Sequence, residues 1–345
     1  MRIRGINYDT GFISAGTTTH EPFDPQVTKR EMQIIRNDLH CNGVRITGGL
    51  PDRLAAAAAE AAQAGLEVWF CPFTNNLTSD ELLELLGDCA ERAEHLRKRG
   101  ADVVFLTGSE LSLFTAGFLH GDNLQERLAV VADPHRVRQL IPEVRARMKE
   151  LLGKAVELVR SRFGGKVSYA SLPFEGVDWD LFDIIATDAG YRTAEAAGSF
   201  RENIRAFVAH GRQQGKTVAI TEFGCAAYRG ASNLADRDDA IIQWDGSARP
   251  VRLKGRLQRD EEEQARYIRE LLDVFESEGV DAAFVYTFAR YDLPHRNVAE
   301  EDFDLASKGI VKVLEGQCGR RYPDLPWELK AAFTALAEYY GALGR

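Results

Sequence analysis

Cysteine is scarce in this chain and never set up for pairing. Its five cysteines, at 41, 71, 89, 225 and 318, are odd in number and form no CxxC. That spacing excludes a disulfide framework and a zinc ribbon, and leaves buried thiols in a reducing compartment as the expectation. Positive charge is also short: 43 Lys and Arg stand against 52 Asp and Glu, a net charge of -9, with no basic block. The electrostatic footprint that a phosphate backbone needs is therefore missing, and no nucleic-acid partner is expected. No apolar run is long enough for a membrane span or a signal h-region, and MRIRGINYDT enters a strand at once. The expectation is a cytoplasmic protein with no membrane partner.

Other chemistries lack their motifs. The seven histidines, at 20, 40, 95, 120, 135, 210 and 295, include no HExxH and no other ligand spacing, so no metal site is expected. Neither GxGxxG nor GxxxxGK[ST] occurs, and with no nucleotide loop no cofactor is implied. There is no GxSxG elbow, and Cys225 has no histidine partner close in sequence. His295 and Arg296, in RYDLPHRN, offer groups for an anionic or hydroxylated ligand, or simply a solvated loop.

What remains is ordinary globular composition, 345 residues with 45% hydrophobic and 28% charged, and a strong β–α alternation. Eight short apolar runs read as strands, at 2–8, 43–47, 66–73, 101–108, 166–172, 182–188, 216–221 and 281–288. Helical periods separate them. Met32, Ile35 and Leu39 share one face, Asp52 to Ala64 is alanine-rich, and Thr78 to Glu81 has capping-box spacing. A helix from about Glu143 to Phe163 with Pro142 at its start, and a last helix near Trp327 to Leu343, complete the pattern. Only PFEGVDWDLF separates strands five and six, room for a single helical turn. Eight strands with no glycine-rich fingerprint predict one (β/α)8 TIM barrel over residues 1–345 rather than an open sheet. Its long connections follow strands four (Leu111 to Ile141), seven (Phe223 to Gln258) and eight (Ala289 to Asp324), on the face where barrel enzymes keep their active sites.

That face collects carboxylates. VAITEFGCA, at 218–226, drives a β-branched run into Glu222, and LTGSEL puts Glu110 just past strand four. Strands four and seven face each other across a barrel mouth, so the two glutamates form a candidate pair for proton donation to a glycosidic oxygen and attack on the anomeric carbon. Asp188 ends strand six, Asp9 ends strand one, Asp292 lies beyond strand eight and Arg45 sits on strand two. Taken singly, Asp9 and Asp188 read first as helix caps or salt-bridge partners.

With these motifs in place the chain resembles the clan A glycoside hydrolases. The matching stretches are GINY on strand one, GVRI with Arg45, GSE, DAGY with Tyr191, and ITEFG. The resemblance implies a retaining O-glycoside hydrolase or transglycosylase acting on a small-molecule or oligosaccharide substrate. It implies Glu110 as acid/base, Glu222 as nucleophile, Arg45 as the cation that keeps Glu222 ionised, and Tyr191 as a hydrogen-bond donor to Glu222. Asp188, Ser109, Phe288 and Asp292 complete the expected substrate-binding set. Two positions depart from the family: Ser109 stands where asparagine usually binds the sugar 2-hydroxyl, and Phe288 stands for the usual strand-eight tryptophan platform. The reactive subsite is thereby altered. NDLHCNGVRI and VVFLTGSELSLF also resemble bacterial proteins called abortive phage infection proteins. The rival reading is therefore a redirected or inactive glycosidase-like barrel that serves as a carbohydrate-binding or phage-defence module.

Overall fold

The computed structural model describes residues 1–343. Eight parallel strands close into a barrel: β1 Ile3–Asp9, β2 Gly43–Gly48, β3 Glu67–Pro72, β4 Val103–Ser109, β5 Lys166–Ser171, β6 Ile184–Thr187, β7 Thr217–Phe223 and β8 Ala282–Val285. Each pairs with its neighbours in chain order, and Ile3 to Ile6 of β1 pair with Ala282 to Val285 of β8 to shut the ring. This is the (β/α)8 barrel that the alternating pattern predicts.

Two apolar layers hold it. Inside the ring, Trp69, Leu106, Ile184 and Phe284 are buried, with the Trp69 and Phe284 rings 4.8 Å apart. Gly5 makes room for Phe284, since a Cβ there would lie 2.2 Å from its ring. Outside the ring, helices α1 Pro25–Asn37, α2 Pro51–Gln63 and α3 Ser79–Lys98 bury single apolar faces, as amphipathic periodicity dictates. Their starts are set locally: Asp24 accepts the Gln26 N–H ahead of Pro25, and Thr78 and Glu81 form the expected capping box.

Past β4 come α4 Leu111–Phe114, α5 Leu124–Val131 and α6 Pro134–Arg162. Helix α6 begins well before the expected Glu143, because Asp133 caps it and Pro134 opens it, leaving Pro142 inside the helix. The β5 to β6 crossover is the single turn that its length allowed, a 3-10 helix at Trp179–Leu181. Helices α7 Phe200–Gln213, α8 Glu261–Glu278 and α9 Ala331–Leu343 complete the outer layer. The final helix is shorter than expected, since Trp327–Leu329 forms a strand antiparallel to Val311–Val313.

The connection after β7 carries two 3-10 turns and a hairpin, Ile242–Trp244 with Pro250–Leu253. A second hairpin, Ile13–Ser14 with Thr17–Thr18, follows β1, and the Thr17 hydroxyl donates to the Ser247 carbonyl at 3.1 Å. The two hairpins thus touch at one side of the mouth. Cys41, Cys71, Cys89 and Cys225 are buried as expected, whereas Cys318 is exposed.

The inner layer is the part least able to relax. Phe284→Ala should lower unfolding free energy by about 3–5 kcal/mol, because Gly5 offers no side chain to fill the void. Urea denaturation of the two proteins measures it.

Candidate active site

Strand ends bring five of the predicted residues, Arg45, Asp188, Glu222, Tyr191 and Ser109, into one network. Arg45, on β2, is fully buried, and its Nη1 donates to Glu222 Oε1 at 2.9 Å and to Asp188 Oδ1 at 3.0 Å. The same nitrogen meets Asn7 Oδ1 at 3.3 Å and the Thr221 carbonyl at 3.2 Å, while Nη2 lies 3.6 Å from Cys71 Sγ. Nε has no partner. Asn7 is fixed in turn by donating to the Thr221 carbonyl at 2.9 Å. A buried cation of this kind is tolerable only with anionic partners in good geometry, and Asp188 and Glu222 provide them.

Glu222 lies within β7 rather than just beyond it, because pairing with β8 continues to Phe223. One carboxylate oxygen faces Arg45, and the other accepts from the Tyr191 hydroxyl at 3.1 Å. Tyr191 reaches it because Gly190 lies against the β7 backbone, where a Cβ would stand 2.3 Å from the Glu222 carbonyl. Gly224 then turns the chain at φ +142°, with its Cα face against the Tyr286 carbonyl. Below Tyr191, Lys308 lies 5.5 Å from its ring centroid and pairs with buried Asp238, which also accepts the Ala226 N–H at 2.6 Å. That pair ties the long connections after β7 and β8 to each other.

Glu110 is held differently. It is the residue preceding α4, in the left-handed conformation at φ 46°, ψ 42°, uncommon for a residue with a side chain. Its carboxyl makes no hydrogen bond or ion pair among the described residues, whereas its N–H donates to the Ala170 carbonyl at 2.9 Å. Burial, then the charges of Asp188, Glu222 and Glu175, push its pKa well above the ordinary carboxyl range, with Arg45 opposing. Burial and Asp188 raise Glu222 to about 7, against the pull of Arg45 and Tyr191. The two glutamates and Asp188 share one guanidinium, and only Glu110 lacks direct contact with it. The surroundings of Glu110 therefore favour its protonated form.

Ser109 supports this network, and the other predicted residues fall elsewhere. Ser109 is buried and donates to Asp188 Oδ2 at 2.6 Å, so its hydroxyl serves the Arg45 network and does not reach the cleft. Phe288 is a correction: β8 stops at Val285, the chain turns, and the ring is fully buried edge-on to Trp327 at 5.4 Å. Besides Tyr191, the half-buried Tyr286 is an aromatic in electrostatic reach of Glu222. Strand alternation could not find it because the pleat ends one residue earlier. Asp292 is also occupied, pairing with Arg290 through both oxygens at 2.8 and 2.7 Å. Asp9 accepts the Gly11 N–H and the Thr19 hydroxyl, which fixes the hairpin after β1. His295 pairs with Asp302 at 2.8 Å and Arg296 with Glu315 at 2.7 Å, so both pin the loop after β8.

One feature of the mouth left little trace in the sequence. Phe12, Phe73 and Phe114, from the connections after β1, β3 and β4, are half-buried and packed together with centroids 4.7 to 5.4 Å apart. Phe114 lies one helical turn past Glu110. Single phenylalanines on three separate loops carry no periodic signal. Asn7 was more legible, as a lone amide in the apolar GINY strand.

No family model matches the sequence, and no curated protein matches it. Solved structures do resemble the fold. A GH113 β-mannanase from Alicyclobacillus acidocaldarius, in complex with ManMIm, superposes with TM-score 0.60 at 15% identity, covering 99% of this chain and 97% of that one. A β-glucuronidase from Parabacteroides merdae gives 0.56 at 15% identity over 99% of this chain but only 36% of its own. Cel5A from Thermotoga maritima, in complex with mannotriose, gives 0.51 at 11% identity over 88% of this chain and 96% of that one. The chain thus shares the barrel fold of these proteins, and at these identities the likeness concerns the fold alone. Among the described residues, no helix is long and apolar enough to cross a membrane.

The electrostatics carry a sign. In the unfolded chain the glutamates return to about 4.5, while in the folded protein Glu222 stands at about 7 and Glu110 is also raised. A raised carboxyl pKa favours the folded state while protonated, so this contribution is complete below pH 4.5 and lost as pH rises through about 7. Glu110→Gln should remove its share, leaving the variant more stable by on the order of 1 kcal/mol at neutral pH and little changed in acid. Thermal unfolding across pH tests this, and a variant less stable at neutral pH would contradict it.

Proposed function

We propose that the protein is a retaining O-glycoside hydrolase, or a transglycosylase of the same mechanism, with Glu222 as nucleophile and Glu110 as acid/base. The observation that carries this reading is the asymmetry of the two carboxyls. Glu222 is clamped between a buried guanidinium and a tyrosine hydroxyl, which favours the ionised form and aims one oxygen. Glu110 has no cation in contact and sits in surroundings that favour its protonated form. A proton donor beside an oriented carboxylate is the pair that glycosyl transfer requires.

Retention is favoured over inversion because Glu222 is only 9% exposed and both its oxygens are engaged. An inverting base needs space for the water that it activates. In the first step Glu222 attacks the anomeric carbon as Glu110 gives its proton to the leaving oxygen. In the second, Glu110, now ionised, takes a proton from water or an acceptor hydroxyl, which attacks the same carbon and frees Glu222. Neither step calls for a cofactor.

The fold neighbours include a β-mannanase and a β-glucuronidase, which supports a β-linked glycoside as substrate. Because the acid stands on the leaving-group side, the rings of Phe12, Phe73 and Phe114 would meet an apolar face of that group. Ser109 and Phe288 leave the sugar without the family's usual 2-hydroxyl ligand and tryptophan platform. Tyr286 is the aromatic best situated to take the second role.

Two measurements decide the matter. Incubation with activated fluoro-sugars should yield a covalent adduct on Glu222 by intact mass and peptide mapping, absent in Glu222→Gln, whose kcat/KM falls on the order of 10³-fold or more. Activity on aryl glycosides should rise with pH through about 7 as Glu222 ionises, then fall at higher pH as Glu110 loses its proton. The absence of both adduct and turnover across a broad sugar panel would favour the binding module instead.

A further inference from the structure

A helix-capping residue with a carboxylate ordinarily uses it to accept the first free N–H groups of the helix. Glu110 precedes α4 with a left-handed backbone, yet makes no such bond. The open N–H groups of α4 are met from β5 and the segment beyond it. The Leu111 N–H donates to the Tyr169 hydroxyl oxygen at 2.8 Å, and the Ser112 N–H donates to Glu175 Oε1 at 3.0 Å. Tyr169 in turn donates to Glu175 at 2.9 Å, and the Leu172 N–H adds a 2.8 Å bond to the same carboxylate.

Glu175 and Tyr169 are both fully buried. Among the described residues no cation pairs with Glu175, and Arg145, close to the same turn, donates to the Phe174 carbonyl at 3.0 Å. Burial raises the Glu175 carboxyl to about 7 despite its three donors. An uncompensated buried carboxylate is a costly way to tie a surface connection down. A neutral amide could not replace it, since the Ser112 N–H donates to one carboxylate oxygen and the Leu172 N–H to the other.

We propose that Glu175 and Tyr169 are positioning residues that cap α4 in place of Glu110, so that the Glu110 carboxyl stays free and correctly aimed for proton transfer. The proposal rests on the glycosidase reading for its catalytic consequence, although the capping itself does not. Two effects follow from the same contacts. The strained turn is held by bonds to the residues directly after it, and a negative charge is kept near Glu110, which favours its protonated form. Glu175 touches no substrate and acts only through Glu110.

The test compares the intact protein with Glu175→Gln and Tyr169→Phe on aryl and alkyl glycosides of graded leaving-group acidity. A poor leaving group needs the acid and a dinitrophenyl group does not. In both variants kcat/KM should fall about tenfold to hundredfold for the poor leaving groups and stay within about twofold for dinitrophenyl. Equal losses on both classes would show general damage to the fold and overturn the proposal, and so would no loss on either. Tyr169→Phe keeps the ring and removes only the hydroxyl, so it serves if Glu175→Gln does not fold. Amide hydrogen exchange at Leu111 and Ser112 is read alongside, and should be faster in both variants. If the unmodified protein turns over no glycoside, the glycosidase reading fails, and exchange alone judges the cap: unchanged protection would overturn it.

Discussion

One buried guanidinium organises the mouth of this barrel. Arg45 projects from β2 into a region that excludes water, where an unmatched positive charge would be prohibitive. The chain answers with Asp188 from β6 and Glu222 from β7, and each arrives with its own support, Ser109 for the first and Tyr191 for the second. These contacts fix the relative positions of strands that are not neighbours. They also create the electrostatic gradient of the site, since the cation reaches two of its three carboxyls directly and leaves Glu110 outside.

The long connections extend this arrangement outward. Asp238 and Lys308 join the segments after β7 and β8 beneath Tyr191, and a second charged cluster, Arg259 with Asp302 and Asp304, pins the same region. Charged residues that looked like ligand-binding candidates in the sequence, His295, Arg296 and Asp292, belong to this scaffolding. The mouth itself is left to a few groups: the two glutamates, Tyr286 and the three phenylalanines. A rigid floor beneath a sparsely furnished cleft accords with chemistry that depends on orientation more than on many polar contacts.

The barrel was legible because its signal is distributed. Eight apolar runs, helical periods and caps such as Thr78 and Glu81 all point the same way, so an error in one boundary does little harm. Glu110, Glu222, Arg45 and Tyr191 were legible because the strand count assigns each a place at one mouth. What failed was local. Pro142 suggested a helix start, although Asp133 and Pro134 supply a better one upstream. Phe288 was placed by the resemblance at the end of strand eight, but that strand ends at Val285, and Tyr286, the first residue past it, was missed. Ser109 was judged by its distance from a sugar, while its actual partner, Asp188, is far away in sequence. Glu175 gave no signal at all, because a carboxylate that serves backbone N–H groups leaves no pattern in the residues it serves.

The left-handed turn at Glu110 has a bearing on how such a sequence is kept over time. Glycine or asparagine would fit that backbone with less strain, and neither would add charge to an already acidic pocket. Random substitution filtered only for folding would therefore tend to erase the glutamate. The glutamate is thus the costlier occupant of this turn on two independent counts, backbone strain and buried charge.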